Sequence, residues 1–162
     1  MPESANRLAL LIGAPWRGEA AMHGDVQAFY DVLTARGMSS DDLLVLEGRL
    51  DRELALGFLA AVQSRVSAWD RGDVLLYTSG HGAYAPLDAV DANTVDPALV
   101  FGPDDLDDPS RWVFWHEVFG ALALPPEVRW LCCRTADTRT CWPAGCRREP
   151  QHWSWRRCLG QS

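Results

Sequence analysis

Asp73-Val74-Leu75-Leu76-Tyr77-Thr78-Ser79-Gly80-His81-Gly82 is the stretch on which the fold turns. Val74 to Tyr77 is a continuous apolar run, which reads as a strand covered on both faces, as in a parallel sheet. It leads straight into a histidine set between two glycines. Gly80 and Gly82 allow a sharp turn and a close approach by another chain, which would present the imidazole at the rim of the sheet. An imidazole is the side chain best suited to moving a proton near neutral pH. The Gly82 N–H, with no side chain in front of it, could face a developing oxyanion.

Upstream, Leu8 to Ile12 is a second buried-strand run, ended by Gly13. A loop reaches from Gly13 to Gly24. From Asp25 the apolar residues Val26, Phe29, Tyr30 and Leu33 recur at helical spacing, and Gly37 supplies a stop. Leu43 to Leu46 predicts another strand. Asp51 is placed to cap a helix carrying Leu54, Phe58, Leu59, Val62 and Val66 on one face. Downstream of His81 comes a Pro- and Asp-rich stretch, Pro86 to Pro109, with a short hairpin strand expected at Ala98 to Phe101. Trp112 to Leu122 predicts a helix in which Trp112 and Trp115 pack as core, and Val128 to Leu131 a short strand. Strands alternating with helices predict an α/β fold with a mostly parallel central sheet and helices on both faces. Working residues in such folds sit beyond the carboxyl ends of the strands. That marks His81 and, after the last strand, Cys132 and Cys133.

Composition narrows the function. The 162 residues fit one domain, 48% hydrophobic content supplies a core, and the net charge of −7 argues against a nucleic-acid partner. No apolar run approaches the length of a membrane span. Met1 to Arg7 has no signal-peptide core, so a cytoplasmic protein is expected. The five cysteines all lie from Cys132 onward, an odd count that does not suggest a disulfide framework.

A thiolate is a strong nucleophile when a base or a positive charge lowers its pKa. Either of Cys132 and Cys133 alone reads as an ordinary buried cysteine. Two in a row at an expected strand end, after a histidine presented at the neighbouring strand end, point instead to a nucleophile.

These segments together resemble the caspase/metacaspase family of cysteine peptidases. Leu8 to Gly13 with Gly24-Asp25 resembles the family's opening strand and first helix. Tyr77-Thr78-Ser79-Gly80-His81-Gly82 resembles its Tyr-x-Ser-Gly-His-Gly motif, and Val100 to Leu122 the hairpin and helix that follow. The resemblance implies a caspase-like three-layer sandwich over residues 7–133 and a cysteine-type endopeptidase. It implies His81 as base, Cys133 as nucleophile with Cys132 as runner-up, and the amides of Gly82 and Cys133 as oxyanion donors. The family's Asp-x-Cys-His-Ser-Gly is matched only at its cysteine: Leu131 stands for the Asp and Arg134-Thr135-Ala136 for His-Ser-Gly. That departure leaves the cleavage preference open, because the Asp belongs to the metacaspase pocket for Arg or Lys. Residues 134–162 form an irregular Arg-, Trp- and Cys-rich tail with no run of strand length, which suggests a truncated domain or a coding frameshift near Trp130.

The expected partner is a protein or peptide substrate, or, for a catalytically inactive caspase-like module, a protein ligand. No cofactor is required. Some metacaspases use Ca²⁺, and Asp104-Asp105-Leu106-Asp107-Asp108 could bind it, although a solvated acidic loop is the simpler reading. A zinc site drawn from Cys132, Cys133, Cys141, Cys146, His152 and Cys158 fits poorly, because structural zinc uses pairs two to four residues apart. The other histidines read as surface or loop residues, His116 on a helix and His23 in the first loop. The sequence carries no signal for oligomeric state.

Overall fold

The computed structural model describes residues 6–16, 20–86 and 95–137. In chain order these form β1 (Asn6–Ala14), α1 (Ala20–Ala35), β2 (Leu43–Glu47), α2 (Arg52–Val66), β3 (Gly72–Pro86), β4 (Val95–Val100), β5 (Val113–Phe114), α3 (Trp115–Ala121) and β6 (Val128–Asp137). The strands make one open mixed sheet. It runs β2-β1-β3-β4-β5, with β6 also paired to β3. The β1–β2, β1–β3 and β3–β6 pairs are parallel, whereas β3–β4 and β4–β5 are antiparallel. The chain is therefore a mixed α/β fold, as its alternating runs predict.

Leu8, Ala9, Leu10 and Leu11 are all fully buried, which is why β1 reads as an unbroken apolar run rather than an alternation. Its two faces serve two cores. Leu8, Leu10 and Ile12 join Val74 and Leu76 of β3, Ala55, Leu59, Val62 and Val66 of α2, and Trp115 and Val118 of α3. Ala9, Leu11 and Tyr77 pack with Val26, Phe29, Tyr30 and Leu33 of α1. Helix α1 thus lies on one face, and α2 with α3 on the other.

Local chemistry accounts for several boundaries. The Asp51 carboxylate accepts the Leu54 N–H at 2.8 Å and caps α2, as expected. The buried stripe of α2 is centred on Ala55, Leu59, Val62 and Val66, so Leu54, assigned to that face from its spacing, is instead 48% exposed. After α1 the chain turns through Gly37 at φ +84°, a conformation that favours glycine, and Met38 N–H reaches back to the Leu33 carbonyl. The N-termini of α2 and α3 are clamped together. Arg52 donates to the Trp112 carbonyl at 2.6 Å and to both carboxylate oxygens of Glu117, and Glu117 also accepts the Phe114 N–H at 3.0 Å. The pair raises the Arg52 pKa and holds the Glu117 carboxyl below its ordinary range.

Three expectations are corrected. Helix α1 begins at Ala20, inside the stretch read as a loop, so His23 and Gly24 are helical residues. The helix expected from Trp112 starts at Trp115, because residues 112–114 are taken by a turn and by the short pairing of β5 with β4. Trp112 and Trp115 are both core residues, as expected, but in different clusters. Most consequentially, β3 and β6 both run past their apolar stretches. β3 continues through His81 to Pro86 and β6 through both cysteines to Asp137.

Candidate active site

His81 stands inside β3, opposite Val100 of the antiparallel β4, and Gly82 stands opposite Leu99. Neither flanking glycine takes a positive φ, so the Ser-Gly-His-Gly segment is extended strand rather than a sharp turn. The imidazole is half-buried and stacks on the indole of Trp16, with ring centroids 3.8 Å apart and planes at 29°. Trp16 lies two residues past the end of β1 and donates its indole N–H to the Val100 carbonyl at 3.2 Å.

Two polar couples surround the same end of the sheet. Ser79, two residues before His81 and 3% exposed, donates its hydroxyl to the Asp25 carboxylate of α1 at 3.1 Å. His23 of α1 meets Glu47, the last residue of β2, through Nδ1 and Oε1 at 2.5 Å. Gly13, one residue before the end of β1, lets Val26 and Glu47 come close: a Cβ there would lie 2.8 Å from Val26 Cγ2 and 3.2 Å from Glu47 Cγ. Histidine, serine and carboxylates thus gather at the carboxyl ends of the parallel strands, where α/β folds place their chemistry. Thr78, on the opposite face of β3, is 2% exposed, and its hydroxyl has no hydrogen-bond partner among the described residues.

The thiols do not join this group. The β3–β6 register sets Cys132 beside Leu76 and Cys133 beside Tyr77, while the residue level with His81 is Asp137. Cys133 is therefore four register steps from His81, about 13 Å along the strand at ~3.3 Å per residue, and Cys132 is one step farther. A base must come within about 3 Å of the atom it deprotonates, or act through one water. At the other end of the same register Arg129 makes a two-pronged contact with Asp73, its register partner, at 2.7 and 3.0 Å.

Each thiol belongs to a core instead. Cys132 packs on the α2–α3 side and Cys133 on the α1 side, near Tyr77. Burial pushes the Cys133 thiol above its ordinary pKa, opposite to what a nucleophile needs. The expected pairing of His81 with Cys133 or Cys132 rested on a strand ending at Leu131. The strand runs six residues further, which moves its rim up to 135–137.

The acidic stretch Asp104–Asp108 is structural in part. Asp105 is buried and pairs with Arg111 at 2.9 Å, and its carbonyl accepts the Trp112 indole N–H at 2.7 Å. Asp108 accepts the amide and hydroxyl of Ser110, which lower its pKa. Two of the four carboxylates of this stretch are thus engaged within the protein, by Arg111 and by Ser110. Cys141, Cys146, His152 and Cys158 lie outside the described residues. Among the described residues no cluster of three His, Cys, Asp or Glu could hold a metal, and no helix is long and apolar enough to cross a membrane.

The chain matches no family model and no curated protein.

Sequence reasoning singles out His81 but not Trp16 or Asp25, nor the bond that Ser79 makes, as its surroundings. Asp25 carries a faint signal, a carboxylate directly after Gly24, which in the sequence alone marks only a helix start. Trp16 carried none, being one of eight tryptophans.

Proposed function

We propose that this chain is a caspase/metacaspase-type cysteine-peptidase domain that keeps its general base, His81, and has no thiol placed to use it among the described residues. In this form it serves as a catalytically silent, caspase-like module that engages protein or peptide partners. The observation that carries the reading is the β3–β6 register, with Cys133 opposite Tyr77 and His81 opposite Asp137. The peptidase lineage is supported by the order of elements and by a Ser-Gly-His-Gly segment on the strand beside β1. The loss of hydrolysis is supported by the raised thiol pKa of Cys133, since the thiolate is the reacting species.

Hydrolysis has one observation on its side: His81 is held in place, stacked on Trp16. A thiol at the same rim of the sheet would complete a Cys–His pair, in which the imidazole takes the thiol proton, the thiolate adds to the scissile carbonyl, and the proton passes to the leaving amine. Position 135, in register with Ser79, lies at that rim, two register steps from the level of His81.

A peptidyl thiol-reactive probe bearing Arg, Lys or Asp tests both statements. Wild-type protein is expected to give no labelling that depends on His81. Thr135→Cys is expected to gain labelling that His81→Ala abolishes. Wild-type labelling lost on both His81→Ala and Cys133→Ala would replace the silent module with an active peptidase.

A further inference from the structure

Trp16 and His81 are 65 positions apart, yet both are anchored to the same residue of β4. His81 is the register partner of Val100, and the Trp16 indole donates to the Val100 carbonyl. Trp16 is 8% exposed and sits in a cluster with Ala83, Ala98, Val100 and Trp112, so its ring is fixed by packing before it meets the imidazole. Trp112 is held in turn by its own indole bond to the Asp105 carbonyl. On the other side of Pro15, Ala14 is the register partner of Gly80. A rigid indole is thus delivered from the end of β1 against one face of the histidine ring at stacking distance.

We infer that Trp16 is the positioning residue of His81. Its indole closes one face of the imidazole and selects one orientation of the ring, so that a reacting group can approach only by the ring's edge or its other face. The gain is in preorganisation: a base already in its working orientation loses less conformational freedom when a reaction begins. The inference rests on reading His81 as the base of this site, and it concerns a contact that no local sequence pattern announces.

Proton NMR of the histidine rings in the full chain tests it. The His81 ring protons, assigned by their loss in His81→Gln, are expected upfield of those of the other histidines, because they lie over the indole face. Trp16→Leu should return them to the range of exposed histidines, and Trp16→Phe should leave part of the displacement. A merely structural Trp16 would lower stability without moving these signals. If Trp16→Leu fails to fold, the wild-type spectrum and Trp16→Phe still decide. His81 protons lying among those of the other histidines in wild type, or unmoved by either substitution, overturn the inference. In the Thr135→Cys chain, Trp16→Phe should also slow inactivation by the peptidyl probe while leaving its apparent binding constant unchanged. Displaced His81 signals combined with no labelling of Thr135→Cys would sink the peptidase lineage and leave the Trp16 assignment standing.

Discussion

β3 and β6 are neighbours of 15 and 10 residues, and they carry the two halves of the expected chemistry with different success. Both begin with an apolar run, and both outlast it. β3 is paired with β1 along residues 72–80, with β6 along 72–81 and with β4 along 81–86. Its continuation therefore carries His81 into a scaffold that holds the ring. β6 is paired only with β3 among the described residues. Its continuation leaves the thiols in the middle of the strand. The difference teaches that a strand's rim is set by its partners, whereas the apolar run marks only the part with a core on it.

The sharpest way to break this contrast is to cut the same amount of side chain from each strand. Leu76→Ala, at a fully buried position in β3, should lower unfolding stability by about 3 kcal/mol. Leu131→Ala, at a β6 position 53% exposed, should cost well under half of that. Urea denaturation followed by tryptophan fluorescence measures both. Equal losses would mean that β6 is as deeply embedded as β3.

A smaller effect should appear in the chemistry of Cys133. Its raised pKa means that the folded chain keeps the thiol proton at a pH where the unfolded chain would have lost it. Stability from this group is therefore full below the unfolded pKa near 9 and declines as pH climbs through the higher folded value. Iodoacetamide labelling read by peptide mass spectrometry should be slow at pH 7, and its rise with pH should lie above that of an exposed thiol. Fast labelling at neutral pH would return Cys133 to candidacy as a nucleophile.

The smallest effect is expected at the foot of the pair. Arg129 and Asp73 are exposed, and water screens their attraction. Arg129→Ala should leave the urea midpoint nearly unchanged and should not alter the probe labelling of Thr135→Cys. A change in that labelling would show that the ion pair, rather than the apolar contacts of Val128 and Trp130, fixes the register.

Much of the fold was legible because its causes are local. Leu8 to Ile12 and Val74 to Tyr77 are apolar without alternation since both faces are covered, and Asp51 reveals a helix start by its own hydrogen bond. His81 was legible for a similar reason, as a titratable ring between two glycines beside an apolar run. The end of β6 was not, because Arg134 to Asp137 resembles no strand in isolation and is extended only through its pairing with Thr78 to His81. Ser79–Asp25 and Trp16–His81 link residues 54 and 65 apart, and no period in the sequence encodes such contacts.

The clamp at Arg52 has a consequence for how the molecule breathes. One guanidinium holds the Trp112 carbonyl and the Glu117 carboxylate, and that carboxylate holds the Phe114 amide, so the first turn of α2 and residues 112–117 share one set of bonds. Neither segment can fray without stranding charged or polar groups of the other. Two stretches some 60 positions apart in the chain are therefore expected to open together, with matching amide-exchange protection.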